Sequence, residues 1–238
     1  MKYGELLMIN ATQIINNALK EGRRYLMEHE AKSICAQYGI SVTKFKVARN
    51  IEEALRYSEE IGYPVVFKIV SPDIIHKSDV GGVIVNIKNE KEGIEAYQRI
   101  LSNVEKHKPE AKIIGILVQE MAPTGLEIII GGIKDPQFGH AIMFGLGGIF
   151  VEILRDVTFR INPVTIDDAK EMIREIKGYP LLKGYRGQPK ADEDSIVDTI
   201  VKTSKLLTDF PQIEQLDLNP VFVYEKGVKV VDARIILG

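Results

Sequence analysis

Leu216-Asp217-Leu218-Asn219-Pro220 and Val230-Val231-Asp232-Ala233-Arg234 bracket the run Val221-Phe222-Val223-Tyr224-Glu225-Lys226-Gly227-Val228. The run is apolar apart from its Glu-Lys-Gly interruption, and reads as two antiparallel strands joined by a short hairpin. Residues two apart on a strand share a face, so Asp217 and Asn219 point the same way. Counting outward from the turn sets Asp232 opposite residues 219 to 221. Three oxygen-bearing side chains then converge on a patch of sheet otherwise built from Val, Leu, Phe and Ile. Carboxylates in such surroundings are costly unless paired. A hard cation such as Mg²⁺ supplies the pairing and keeps waters or phosphate oxygens in its remaining positions. The plainer reading is a solvent-facing edge hairpin whose Asp and Asn shape a turn before Pro220.

The composition around this stretch is that of a globular chain. At 238 residues, 45% apolar and 27% charged, it is long enough for one large domain or two small lobes. The net charge is −2 and the 31 basic residues are spread without a block, which gives no electrostatic case for a nucleic-acid or membrane partner. No apolar run reaches the roughly 18 residues of a membrane span, and the first residues lack a signal-peptide pattern. The single Cys35 excludes an internal disulfide and a cysteine-based zinc site. A cytoplasmic location is the expectation. The absence of Trp and the abundance of Ile, Lys and Glu suit a heat-adapted protein.

Helices and strands alternate upstream. Residues 10–21 read as a helix capped by Asn10 with Gln13 three residues on. Ala31, Ile34, Cys35 and Tyr38 follow helical spacing, and Gly39 supplies a stop. Strands are expected at 44–48, 63–70, 82–87 and 111–120, with helices at 51–61 and 90–106. Further on, 127–132 and 140–144 flank an Asp135-Pro136 turn as a hairpin, and helices fit 165–177 and 192–209. This is an α+β pattern in two successive blocks, with a hinge near 119–125. The expected division is an N-terminal helical segment at 1–22, a first lobe at 23–118 and a second lobe at 119–238 that carries the hairpin.

Several residues in the first block bear on chemistry. Lys68 lies inside the apolar strand Val65-Val66-Phe67-Lys68-Ile69-Val70, so it either snorkels at an edge or aims at an anion. The segment from Ser71 to Val80 then links two strands, is too long for a tight turn, and ends in Gly81-Gly82. Successive N–H groups at Gly81 and Gly82 are candidates for an anion-binding concavity, although no P-loop signature is present. At the hinge, the Glu120-Met121 backbone is a candidate reader of an adenine edge, and Glu127 a candidate acceptor for ribose hydroxyls. Ordinary surface glutamates are the alternative.

In the second block, Gly145-Leu146-Gly147-Gly148 makes a glycine-rich turn that is not a dinucleotide fingerprint. Glu152, Arg155, Asp156 and Arg160 follow, either as a phosphoryl anchor or as surface ion pairs. The basic loop Lys183-Gly184-Tyr185-Arg186-Gly187 has the same two readings.

Taken in chain order, Lys68, Gly81-Gly82, Glu120 with Glu127, and Asp217-x-Asn219-Pro220 with Asp232 resemble the nucleotide site of the ATP-grasp superfamily. Within it the chain is similar to the beta subunits of ADP-forming acetyl-CoA synthetases, over about residues 23 to 238. The stretches His76-Lys77-Ser78-Asp79-Val80-Gly81-Gly82-Val83 and Gly145-Leu146-Gly147-Gly148 are the most specific parts of that likeness. The resemblance implies two α+β lobes with nucleotide in the cleft between them, and ATP or ADP as substrate with Mg²⁺. It also implies a reversible reaction in which acyl-CoA, ADP and phosphate give free acid, ATP and CoA.

A CoA-binding alpha subunit, carrying the first phosphohistidine, is the implied partner in an α2β2 assembly. The metal-holding Asn and Asp of the succinyl-CoA synthetase relatives map onto Asn219 and Asp232, while Asp217 stands where those relatives have Glu. Those relatives also have Gly-Arg-Gly-Lys where this chain has His76-Lys77-Ser78-Asp79. That departure singles out His76 as a phosphoryl relay; hydrogen bonding to phosphate or facing the partner are the rival roles. Glu152 aligns with a Glu that follows paired glycines in those relatives and is the candidate to orient the incoming histidine. A stand-alone ATP-grasp carboxylate ligase and a non-catalytic nucleotide-binding regulatory module are the competing functions.

Overall fold

The computed structural model describes residues 10–148, 151, 153–185, 187 and 189–238. The chain forms two compact units, one containing Thr43–Met121 and the other Asn10–Val42 with Ala122–Gly238. Residues 23–42 therefore group with the second unit, not with the first lobe as the sequence reading has it. Long-range pairing accounts for this, since Val42 bridges to Val230 and the Val230 N–H donates to the Ser41 carbonyl at 2.8 Å.

The first unit is an antiparallel sheet in the order β1-β4-β2-β3, formed by β1 (Phe45–Ala48), β2 (Val65–Val70), β3 (Val83–Ile87) and β4 (Gly115–Glu120). Its helices, which become α3 and α4 in chain order, span Ile51–Ile61 and Glu90–His107. Asn50 and Asn89 cap them by accepting from the Glu53 and Glu92 N–H groups. Val65, Phe67 and Ile69 of β2 pack with Ala54, Tyr57, Ala96, Ile100 and Val104 in one buried cluster. Each such large side chain contributes about 1.5–3 kcal/mol by leaving water. Alternation then puts Val66, Lys68 and Val70 on the other face.

In the second unit, α1 (Ala11–Lys20) opens with the Asn10–Gln13 capping box, and α2 (Glu28–Gln37) buries Ala31, Ile34 and Cys35. The sheet runs β10-β8-β5-β6-β7, from β10 (Ala233–Leu237), β8 (Ile213–Val223), β5 (Leu126–Asp135), β6 (Gly139–Leu146) and β7 (Val157–Ile161). A short β9 (Val228–Val230) pairs with the far end of β8. Helices α5 (Ile166–Glu175), α6 (Tyr179–Leu182) and α7 (Glu193–Asp209) complete the unit. α7 packs on β5 and β6, and α5 on β6 and β7.

The side chains turned toward these helices are Leu216, Leu218, Ile130, Ile142 and Phe144, all buried. Asp217, Gly131, Met143 and Phe159 alternate with them on the other face. Among the described residues no helix is long and apolar enough to cross a membrane.

Candidate functional site

The closing hairpin is more elaborate than one ribbon. β8 meets two short strands in succession, with Ala233 opposite Leu218 and Arg234 opposite Asp217 on one side of a break, and Val221 opposite Val230 on the other. At the break, the Asn219 N–H donates to the Asp232 carbonyl at 3.2 Å and the Val231 N–H to the Pro220 carbonyl at 3.0 Å. Asp232 thus stands against Asn219 and Pro220, where the count from the turn puts it. The pairing with β5 slips by a residue at the same place, between Ile128 and Ile130. A bulge of this kind re-aims side chains.

Asn219 is exposed, while Asp217 and Asp232 are half-buried. Burial pushes the Asp217 carboxyl above its ordinary range; neighbouring Arg234 opposes that rise and the Asp232 charge adds to it. Two carboxylates that feel one another, on the hairpin where Asn219 also lies, are a candidate all-oxygen set for a hard divalent ion. Among the described residues no three His, Cys, Asp or Glu side chains form a metal-sized group, so the candidate set is two carboxylates and the Asn219 amide. Arg234 was missed as a neighbour of Asp217, although the same count from the turn would have found it.

Glu127 and the glycine-rich turn, read separately in the sequence, come together. The Gly147 N–H donates to the Glu127 carbonyl at 2.8 Å. Gly148 is left-handed at φ +59°, and a Cβ there would lie 3.5 Å from the Glu127 carboxylate. Glu127 and this turn are therefore one feature of the second unit.

In the first unit Lys68 sits mid-strand, opposite Leu117 on one side and Val83 on the other, and is only 6% exposed. Edge snorkelling is excluded by that placement. Its face also carries Gln119, which is buried. The Gly81-Gly82 loop corrects one expectation. The Gly81 N–H donates to the Ser78 carbonyl at 3.0 Å and the Gly82 N–H to the Lys77 carbonyl at 2.8 Å, so both amides are engaged inside the 3₁₀ turn Lys77–Val80. They make no open anion cradle.

The glycines serve packing instead. Gly81 is left-handed at φ +62° beneath Asn103, whose amide donates to its carbonyl at 3.0 Å. Gly82 lies so near Ile69 that a Cβ would come within 2.5 Å of its Cγ2. The loop is pinned elsewhere by buried Ile74 and Val80, and by the Lys112 N–H donating to Asp73 at 2.7 Å. His76 is exposed between these anchors.

The hinge N–H groups are also engaged. The Glu120 N–H donates to the Lys44 carbonyl at 3.0 Å and the Met121 N–H to the Pro64 carbonyl at 3.2 Å. The Glu120 carboxylate accepts from the Lys44 N–H at 2.9 Å. Of the backbone N–H and C=O groups expected to read an adenine edge here, these two N–H donors are thus already engaged.

Glu152 and Arg186 lie outside the described residues. Asp156 is buried and accepts from the Lys177 and Gly178 N–H groups at 2.8 and 2.7 Å, which makes it an anchor for the start of α6. Arg160 pairs with Glu175 and Glu171, and Lys183 with Glu193, so these charges are accounted for as ion pairs. Arg155 is exposed and left-handed at φ 48°. His140 is buried with Nε2 at 2.6 Å from the Ile213 carbonyl, and exposed His107 has Nδ1 at 2.8 Å from the Asn103 carbonyl.

Comparison with known proteins gives four findings. Residues 17–237 match the family described as "ATP-grasp domain". The chain is 55% identical over 227 residues to the acetate–CoA ligase [ADP-forming] I subunit beta of Pyrococcus furiosus, covering 95% of this chain and 97% of that one. It is 50% identical over 228 residues to acetate–CoA ligase [ADP-forming] I of Archaeoglobus fulgidus, covering 96% of this chain but only 33% of that longer polypeptide. In solved structures it is similar to acetyl-coenzyme A synthetase 1 of Ca. Korarchaeum cryptofilum in complex with coenzyme A, Ca-AMPCP and HgCl+. There the TM-score is 0.94 at 51% identity, covering 96% of this chain and 100% of that one.

Proposed function

We infer from membership of the ATP-grasp domain family, to which this chain belongs over residues 17–237, that it is the nucleotide-binding beta subunit of an ADP-forming acetyl-CoA synthetase. It is an acid–thiol ligase that acts with a CoA-binding alpha subunit. The phosphoryl group released from the acyl-CoA reaction arrives on a partner histidine and leaves on ADP as ATP. The observation that carries this reading is the hairpin break, where Asn219 hydrogen-bonds the Asp232 backbone two residues beyond Asp217.

Asn219 and Asp232 would hold Mg²⁺, with Asp217 as a further oxygen donor, and the ion would neutralise charge on the nucleotide phosphates. Lys68, a buried cation on a rigid central strand, would contact one of those phosphates. Glu127, fixed by the Gly147-Gly148 turn, would accept from ribose hydroxyls. Glu120 and Met121 would border the base through groups other than their engaged N–H donors. The Gly81-Gly82 loop would act by presenting His76.

His76 is the proposed relay. A neutral imidazole nitrogen attacks phosphorus, the P–N bond to the partner histidine breaks, and the partner imidazole leaves with the electron pair. A terminal phosphate oxygen of ADP then attacks the same phosphorus, the P–N bond to His76 breaks, and ATP forms. Glu152 would orient the incoming ring by accepting from its other nitrogen.

The test is ATP formation from acetyl-CoA, ADP and phosphate by the chain mixed with the CoA-binding alpha subunit. His76→Ala should abolish that overall reaction while leaving MgADP binding intact. Full activity in His76→Ala would exclude the relay. Turnover of ATP and a carboxylic acid by the chain alone would favour a stand-alone ligase instead.

A further inference from the structure

At its β5–β6–β7 end the open face of the second sheet is apolar where a solvated antiparallel sheet turns polar. Ile133, Ala141 and Ile161 stand in one cross-strand row, and Gly131, Met143 and Phe159 in the next row on the same face. Ile133 is 53% exposed, Phe159 51% and Ile161 57%, and Phe138 in the adjoining β5–β6 turn reaches 62%. β7 is also the last strand in the sheet order, with no further strand on its outer edge among the described residues. Contiguous exposed side chains of this size mark a binding surface, and an uncovered apolar edge strand is normally avoided.

The position of the patch narrows its occupant. The row that ends at Phe159 runs back through Met143 and Gly131 to Asp217 and Arg234. The apolar patch and the candidate metal-holding residue thus lie on one face of one sheet. A nucleotide is the wrong ligand for Ile133, Phe159 and Ile161, which offer nothing to phosphate or ribose. A polypeptide is the right one. In the Archaeoglobus relative the region matching this chain is 33% of a longer polypeptide, whereas the Pyrococcus relative is a separate subunit beta. A subunit that associates without a covalent link needs an apolar centre of contact.

We propose that this patch docks the CoA-binding partner subunit and seats it beside Asp217, so that its phosphoryl-bearing segment reaches the nucleotide along the open face. The proposal rests on the function inferred above.

The experiment compares the wild-type chain with Phe159→Lys and with Ile133→Lys, each titrated against the purified CoA-binding alpha subunit. MgADP binding and thermal unfolding of each isolated chain serve as folding controls. The expected result is wild-type nucleotide binding with partner affinity reduced at least about 30-fold, and ATP-forming activity recovered at high partner concentration. The second variant, on a different strand, covers the case in which one fails its folding controls. Unchanged partner affinity in a folded variant overturns the proposal. It is equally overturned if the wild-type chain self-associates and the variants become monomeric with partner affinity intact, for the patch then joins two copies. If the wild-type chain binds no alpha subunit and makes no ATP with it, the function itself fails, and the wild-type arm alone reveals that.

Discussion

Asp217 illustrates how one residue reports on a site before any ligand is added. Its carboxyl is raised by burial, with Arg234 opposing and Asp232 adding to the rise. The ionised form is therefore less welcome in the folded chain than in the unfolded one. Below the unfolded carboxylate range both states hold the proton and Asp217 carries no penalty; stability is lost as pH rises through the folded value. Asp217→Asn should raise the melting temperature of the metal-free chain at pH 7, and the gain should vanish in strong acid. Adding Mg²⁺ should shrink the gain if Asp217 donates to the ion. Thermal unfolding across pH, with and without Mg²⁺, checks all three statements.

Gly82 makes a second residue-level case. A methyl group there would meet Ile69 Cγ2 at 2.5 Å and the Lys77 carbonyl at 3.0 Å. Ile69 is fully buried in the first core, so Gly82→Ala should cost about 1–3 kcal/mol through overpacking. It should also displace the loop bearing His76. Denaturant unfolding measures the first effect, and loss of ATP formation in excess of any loss of MgADP affinity measures the second.

At the scale of elements, the N-terminus of α7 clamps the closing hairpin that carries the candidate metal-holding residues. Asp192 caps its helix by accepting from the Ser195 N–H at 3.1 Å, and its other oxygen accepts from the Gly227 N–H in the β8–β9 turn at 2.7 Å. The Asp192 N–H donates to the Tyr224 carbonyl at 2.9 Å. The Gly227 amide is the main cause that holds the Asp192 carboxyl below its usual range, with the Ser195 contacts adding to it against burial. A depressed carboxylate stabilises above its unfolded pKa, and that stabilisation is lost as pH falls through the folded value. Asp192→Ala should therefore cost about 1–2 kcal/mol at pH 7, with the difference closing in acid. It should also weaken Mg²⁺-dependent nucleotide binding by loosening the turn, which calorimetry with and without EDTA would show.

Local signals explain what the sequence made legible. The Asn10–Gln13 box, the helix at Ile51–Ile61 and the hairpin from Leu126 to Leu146 depend on short-range spacing and were readable. So was the opposition of Asp232 to Asn219, which needs only a count from a turn. β7 was not legible as a strand, because Phe159 and Ile161 lie on its open face and Arg160 pairs on the helix side. That reverses the usual apolar-in pattern. Nor could spacing reveal that the Gly81 and Gly82 amides bond back into their own turn, or that residues 23–42 join the second unit. Those facts depend on partners distant in sequence or on backbone torsions with no side chain to signal them.

For the whole molecule, the functional reading makes a demand that neither unit meets alone. Lys68 belongs to the first compact unit and Asn219 to the second, yet the proposed chemistry assigns both to the same nucleotide. Lys68→Ala and Asn219→Ala, singly and together, test that assignment. On MgADP affinity the two should couple. Lys68→Ala removes a charge-assisted contact and should weaken binding roughly 10- to 100-fold. Asn219→Ala should weaken it through the metal, and the double variant should fall short of the product of the two because each substitution lets the phosphates shift away from the other contact. Calorimetric titration of the four chains closes the cycle. If either substitution left MgADP affinity unchanged, that residue would answer to a different ligand, and the shared-nucleotide mechanism would then have no physical basis in this chain.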